Sequence, residues 1–256
     1  MNDKLSVSII LPAYNVGNTI KNCLNKIIDE TNDLDSEIIV VDDNSKDETV
    51  EIVKTFKDVI LIQLNNNQGA GNARNVGAKK AIHENLCFID SDILISQNSI
   101  INLVKKLKKN EETGTVSASQ DLFNQNSKSW SSNFVCLKSS YGIDEIDKEK
   151  EFSTCCSEFF TISKKLFFEA GEFKAFTAAG GEEFDLGYKI TQLKKKHIKT
   201  KDATYSGYWC DLYTRFKNVS QRTSKYIPLF IRKKKFDSKG TFATTGQFFS
   251  SLLTLI

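Results

Sequence analysis

The sequence predicts an α/β fold: a mostly parallel twisted sheet flanked by helices, with a basic helical tail at the C-terminus. Short runs rich in Val and Ile, "LSVSIIL", "EIIVV", "VILIQL" and "LCFID", recur through the first ninety residues. Each has the length of a strand buried on both faces. Apolar residues at helical spacing separate these runs. Acids close two of them, Asp42-Asp43 after "EIIVV" and Asp90 with Asp92 after "LCFI". In open α/β sheets ligands bind outside the carboxyl ends of the strands, where these acids fall.

Taken in chain order, "LSVSIIL" is the first strand. "NTIKNCLNKIID" is a helix, with Ile20, Leu24, Ile27 and Ile28 on one face. After "EIIVV", Ser45 is placed to cap a second helix. Asp47 and Glu48 suit its positive end, and Val50, Val53 and Phe56 form its apolar face. "VILIQL" is the third strand, "GNARNVGAKKAIHE" the third helix and "LCFID" the fourth strand. This alternation implies parallel pairing with right-handed crossovers. A fourth helix follows with Ile100, Ile101, Val104 and Leu107 inward, then a strand at "GTVSA". From Asp121 to Glu151 the chain is polar and poorly periodic, which predicts loops and an acceptor-side excursion. "STCCSEFFTIS" returns to strand character and "KKLFFEAGEF" is a short helix and turn. "AAGGEEFDLGYKITQLKKK" is a Gly-Gly hinge leading into a helix with Phe184, Leu186, Ile190 and Leu193 inward.

A chain of 256 residues with 40% hydrophobic composition can bury a sizeable core. Its 6 cysteines include no CxxC pair and only 2 histidines accompany them. That argues against structural zinc and against a disulfide framework, and makes a reducing compartment the expectation. The N-terminal "MNDKLSVSIILPAYN" reads as a strand and not as a signal peptide. No stretch approaches the ~18–20 apolar residues of a membrane span. The net charge of +3 hides an asymmetry: residues 1–188 carry 20 basic and 29 acidic residues, and residues 189–239 carry 15 and 3. A basic tail on an acidic body suits an anionic partner such as phospholipid, nucleic acid or a phosphorylated substrate. "QLKKKH" by itself is equally a solvated lysine-rich helix face.

The acids carry the chemistry. Asp90 and Asp92, two apart at a strand end, point to one side. Two such carboxylates repel unless a cation or hydrogen-bond donors neutralise them, and Mg²⁺ takes one or two carboxylates together with substrate phosphates. A solvated loop, or Asp90 capping a helix near Gln97, is the plainer alternative. Of Asp42 and Asp43, one can accept from backbone N–H groups in the following turn while the other faces the crevice. A simple helix-entry turn would also account for the pair. Gly69 and Gly71 permit close approach of a ligand, and Arg74 one turn on can reach a phosphate or form an ion pair. Glu182 and Glu183 follow Gly180-Gly181 at a helix start, where the unpaired N–H groups favour them for structural reasons alone.

Together these motifs resemble the inverting glycosyltransferases of family 2, which have the GT-A fold. "SVSIILPAYNVGNTIKNCLNKI", "EIIVVDDNSKDET", "NQGAGNARNVGAKKA" and "FIDSD" are similar, in order, to the family's opening strand and helix, its nucleotide-binding strand end, its glycine-rich helix and its DxD motif. "GGEEFDLGYKI" resembles the later segment that carries the catalytic base, with Glu183 in the position usually held by Asp. Tyr205, Tyr208 and Trp209 stand where related enzymes often have histidine.

The resemblance implies a GT-A catalytic domain over residues 1–200. Its nucleotide-binding half would be about 1–105 and its acceptor-side half about 106–200, with a basic and aromatic extension at 201–256. It also implies roles. Pro12, Ala13 and Tyr14 would line the nucleoside pocket, Asp43 would accept from the base, and Arg74 would lie near base or phosphate. Asp90 and Ser91 belong to the nucleotide site, with Asp90 at the ribose or the metal's water shell. Asp92 would ligate Mg²⁺ or Mn²⁺. Glu183 would be the general base, with Glu182 supporting or replacing it. The implied reaction moves a sugar from a nucleotide-sugar, UDP being the commonest donor in the family, to a hydroxyl of a glycan or lipid-linked acceptor.

A nucleotidyltransferase would need a basic glycine-rich loop after the first strand, and "PAYNVGN" has no basic residue. A non-catalytic anion- or membrane-binding module leaves the acids at two strand ends unexplained. A processive synthase is not expected, for want of membrane spans and of a QxxRW-like segment. The Lys-, Asn- and Ile-rich composition points to an AT-rich bacterial genome and, by association, to polysaccharide biosynthesis. The expected location is cytoplasmic, held peripherally on an anionic membrane face through residues 189–239 and the uncharged "GQFFSSLLTLI", with Phe248, Phe249, Leu252 and Leu253 at helical spacing. No nucleic-acid partner is expected.

Overall fold

The computed structural model describes residues 5–32, 34–124, 129–134, 149–152, 156–174, 182–208 and 212–214. The first strand, β1 (Ser6–Ala13), leads to α1 (Gly17–Thr31), then β2 (Asp35–Asp42), α2 (Thr49–Val53), β3 (Val59–Gln63), α3 (Ala70–Lys80) and β4 (Asn85–Ile89). β1 pairs in parallel with both β2 and β4, and β2 in parallel with β3. This parallel half has the order β3-β2-β1-β4. A short β5 (Ile93–Ile95), α4 (Ser99–Lys109) and a long β6 (Thr113–Asn124) follow. The remaining elements are β7 (Glu149–Phe152), β8 (Phe159–Ser163), α5 (Lys164–Glu169), α6 (Glu182–Gln192) and β9 (Lys196–Gly207). β8 runs antiparallel to both β4 and β6, and β9 is parallel to β6. The sheet is thereby nine-stranded and mixed.

Alternation along the central strands builds two cores. Val7, Ile9 and Leu11 of β1, Val40 of β2, and Cys87 and Ile89 of β4 face α1 and α4. Ile10, Ile39, Val41, Leu86 and Phe88 face α3, α5 and α6 on the other side. Apolar residues on both faces are what central strands in a three-layer sandwich require. Helix α3 lies tight on the sheet: a Cβ at Gly77 would come within 2.4 Å of Ile10 Cγ2. Asn75 then clamps the segment after α5, donating from Nδ2 to the Phe173 carbonyl (2.8 Å) and accepting at Oδ1 from the Phe173 N–H (3.0 Å).

Several local expectations are corrected. Ser45 does not cap α2. Its hydroxyl accepts the Asn15 N–H at 2.9 Å, and α2 begins at Thr49 without a side-chain cap. Asp47 accepts from the backbone of both Gly17 (2.9 Å) and Thr49 (3.1 Å), so it ties the start of α1 to the start of α2. β3 is an edge strand and only partly covered, with Ile60 39% exposed. "QLKKKH" is not a helix face: α6 ends at Gln192, Lys194 takes a positive φ of 58°, and His197 is buried in β9. The region from Asp121 begins as strand, because β6 continues to Asn124. β9 carries the sheet past residue 200, to Gly207. Gly180, Gly181, Trp209 and the uncharged C-terminal run lie outside the described residues.

Candidate active site

The acidic strand ends meet at the carboxyl edge of the parallel strands. Ala13 is paired with Asp42 in the β1–β2 register, and the Ala13 carbonyl accepts the Asp43 N–H at 2.8 Å. Asp42 turns back to the Ser45 N–H (3.2 Å) and so closes the local turn. Asp43 reaches the other way: its two oxygens accept the N–H groups of Gln68 (2.8 Å) and Gly69 (2.7 Å), which lead into α3. Both aspartates are 2% exposed. Each oxygen of Asp43 keeps a further lone pair for a ligand. Tyr14, by contrast, stands 47% exposed at the end of β1. Pro12 contributes its carbonyl, which accepts the buried Ser91 hydroxyl at 2.8 Å.

That bond orients the next turn. With Ser91 pinned inward, Asp90 and Asp92 flank it, Asp92 exposed and Asp90 partly covered. Asp90 Oδ1 is 2.5 Å from Arg74 Nη2. Arg74 itself is 3% exposed, and its Nη1 lies 3.5 Å from Glu182 Oε1 in the first turn of α6. Glu182 is buried and Glu183 half-buried. Burial opposes the charge on Arg74, but the carboxylates of Asp90, Glu182 and Glu183 outweigh it and raise its pKa. The structure thus brings Arg74, Asp90 and Glu182 into direct contact, with Ser91, Asp92 and Glu183 adjoining.

Sequence reasoning missed Glu158. It enters β8, antiparallel to β4, so its carbonyl accepts the Asp90 N–H at 2.8 Å. Its carboxylate accepts the hydroxyl of buried Tyr205 from β9. Burial, then the Glu158 carboxylate, holds the Tyr205 phenol well above its usual range, which keeps it a donor. The one signal available was an acid directly before the apolar run "FFTIS". Glu158 also bears on the electrostatics of the aspartates. Asp90 is pushed up to about 7, first by burial and then by Asp92 and Glu158, against the pull of Arg74. Asp92 is raised as well, by desolvation and then by Glu158.

Asp90 and Asp92, each raised by burial and by a neighbouring carboxylate, are short of positive charge, and their hard oxygens suit Mg²⁺ or Mn²⁺. Among the described residues no group of three or more metal-ligating side chains is placed to cage an ion. Two such carboxylates fit a divalent cation only where other ligands complete its coordination.

The family model for glycosyl transferase family 2 matches residues 8–171. Poly-β-1,6-N-acetyl-D-glucosamine synthase of Staphylococcus epidermidis is 31% identical over 124 residues, 47% of this chain and 30% of that protein. The chain thus spans under a third of the length of that curated relative. Among solved structures, a mannosyltransferase from Pyrobaculum calidifontis in complex with GDP-Man and Mn²⁺ superposes with a TM-score of 0.67 at 18% identity, covering 99% of this chain and 75% of that one. GalNAc-T7 with UDP, GalNAc and Mn²⁺ gives 0.64 at 20% identity, covering 80% of this chain and 43% of that one. At these identities the superpositions establish the shared fold.

Proposed function

The chain belongs to glycosyl transferase family 2 and has the GT-A fold, and from that premise we propose that it transfers a sugar from a nucleotide-sugar to an acceptor hydroxyl with inversion at the anomeric carbon. One observation carries the reading. Asp90 at the end of β4 and Glu182 at the start of α6 meet on one buried cation, Arg74. Sharing that cation keeps the β4 end, the expected donor side, beside the helix start expected to carry the base, which supports a single displacement.

The nucleoside would lie over Pro12, Ala13 and Tyr14, with Asp43 accepting from the base; UDP is the expected nucleotide. Asp92, with Asp90 beside it, would hold Mg²⁺ or Mn²⁺. When bound, that cation neutralises charge growing on the departing diphosphate. Glu183 takes the proton of the acceptor hydroxyl as it attacks from the opposite face. A glycan or lipid-linked acceptor accords with the polysaccharide synthase relative. Attachment to an anionic membrane face would rest on the basic residues of 189–239. Among the described residues no helix is long and apolar enough to cross a membrane.

A thermal-shift screen of UDP, GDP and dTDP, each with and without Mn²⁺, tests the proposal. A ligand at 100 times its Kd stabilises the native state by ~2.7 kcal/mol. One nucleotide should therefore raise the unfolding midpoint, and should do so only with Mn²⁺. No shift with any of them would count against a nucleotide-dependent transferase.

A further inference from the structure

Arg74 is a cation set where water does not reach it, and its guanidinium is split between two acids from distant parts of the chain. Nη2 takes Asp90 at 2.5 Å and Nη1 takes Glu182 at 3.5 Å. The face of the guanidinium lies 5.4 Å from the centroid of the Phe173 ring. Its buried Nε has no hydrogen-bond partner among the described residues. Removing one partner from a buried ion pair is strongly destabilising, because an uncompensated charge remains. Asp90 and Glu182 therefore cannot drift apart cheaply.

The frame that carries Arg74 is itself fixed. Helix α3 is pressed on β1 at Gly77, and its Gly71 lies against α6, where a Cβ would be 3.6 Å from Glu182 Cβ. The Asn75–Phe173 clamp holds the chain entering the connection to α6, and Arg74 holds the first residue described beyond it. Successive helical residues are separated by about 100° around the axis. Fixing Glu182 therefore fixes the direction in which Glu183 projects.

We propose that Arg74 is a positioning residue that sets the distance between the metal-binding turn at Asp90–Asp92 and the base at Glu183, with Glu182 as its anchor and not as the base. This rests on the transferase reading above. The rival role for Arg74, direct contact with a donor phosphate, would need a guanidinium open to the crevice. Here both terminal nitrogens are engaged by carboxylates and the residue is 3% exposed.

The test is a double-mutant cycle of Arg74→Lys and Glu182→Gln, with Glu183→Gln for reference. Turnover is followed on whichever UDP- or GDP-sugar the wild type hydrolyses fastest with Mn²⁺. Affinity for the matching nucleoside diphosphate with Mn²⁺ is measured by calorimetry. Glu183→Gln should lower kcat by ~10²–10⁴-fold. Glu182→Gln should lower it less, by an amount on the order of 10²-fold or below, as for a displaced reacting group. Its nucleotide affinity should stay within about twofold, since on this proposal Glu182 acts through Arg74 and not on the donor itself. Lys cannot fork between two acids, so Arg74→Lys should also lower kcat, and the double variant should be no slower than Arg74→Lys alone.

Independent, multiplicative losses would overturn the proposal. So would Arg74→Lys with normal kcat and weakened nucleotide binding, which is the signature of a phosphate contact. If Arg74→Lys fails to fold, an unchanged kcat in Glu182→Gln overturns the proposal and a lowered kcat at constant affinity supports it. If the wild type binds no nucleoside diphosphate with Mn²⁺, the transferase reading fails separately. The coupling is then judged on unfolding midpoints, where additive shifts refute it.

Discussion

At the scale of single residues, one turn decides most of the chemistry. Ser91 points inward to Pro12, Asp90 is bound to Arg74, and Asp92 is left exposed. Asp92 is thus the carboxylate most free to take a cation without disturbing the core. Replacing Asp92 by Asn should leave the unfolding midpoint nearly unchanged, since exposed substitutions usually lie within ~0.5 kcal/mol. It should abolish the Mn²⁺-dependent part of nucleotide binding, measured by calorimetric titration. Unchanged affinity and rate in that variant would refute the assignment. Asp43, Asp90 and Asp92 were legible as acids where apolar runs end. Glu158 was not, because its place beside Asp90 depends on antiparallel pairing of β8 with β4, a long-range choice that local periodicity does not encode. Arg74 was visible as a cation on the third helix, but its partner Glu182 is distant in sequence and meets it only through the packing of α3 against α6.

At the scale of elements, helices with strong apolar spacing were readable, and short ones shaped by side-chain bonds were not. Ile20, Leu24 and Ile27 of α1 are fully buried, as their spacing requires. The short α2 instead takes its start from Asp47 and Thr49, which are tied to the β1–α1 turn. "QLKKKH" failed as a helix because His197 has partners elsewhere: Nδ1 lies 2.7 Å from the Thr115 hydroxyl and Nε2 3.0 Å from the Gly187 carbonyl. His197 thereby fastens α6, the helix that carries Glu182 and Glu183, to β9. Burial lowers the pKa of His197 below its ordinary 6.5, against the opposing effects of the Gly187 carbonyl and Glu151. The sign follows from linkage. Between the folded pKa and 6.5 the unfolded chain binds more protons, so stability falls as pH drops through that window and levels off below it. Asp90, raised to about 7, titrates with the opposite sign over the same range, so the contribution of His197 is a difference between two proteins. In denaturant unfolding from pH 7.5 in steps down to pH 5, the wild type should lose stability relative to His197→Asn. Equal pH dependence in the two proteins would mean that His197 does not titrate on unfolding.

At the scale of the whole molecule, the alternation of runs in the first ninety residues contained the parallel half of the sheet, whose strand order β3-β2-β1-β4 only the fold reveals. The second half was legible only as separate pieces. β8 enters antiparallel between β4 and β6, and β9 pairs with β5, β6 and β7 at once, with register shifts along β6. Such pairings are set by what fills the space beside β4, and they bring Glu158 and Tyr205 to the aspartates. The assembled molecule has its acids gathered at one edge of the sheet, with the start of α6 facing the strand ends across Arg74. That arrangement suits one in-line displacement with no covalent enzyme intermediate. Its most direct test is the anomeric configuration of the product, followed by proton NMR while the protein consumes α-linked UDP- and GDP-sugars with Mn²⁺. The account predicts a sugar that first appears in the β configuration, with consumption abolished by removal of the metal. A product formed first in the α configuration, or no metal-dependent consumption of any of these donors, would contradict it.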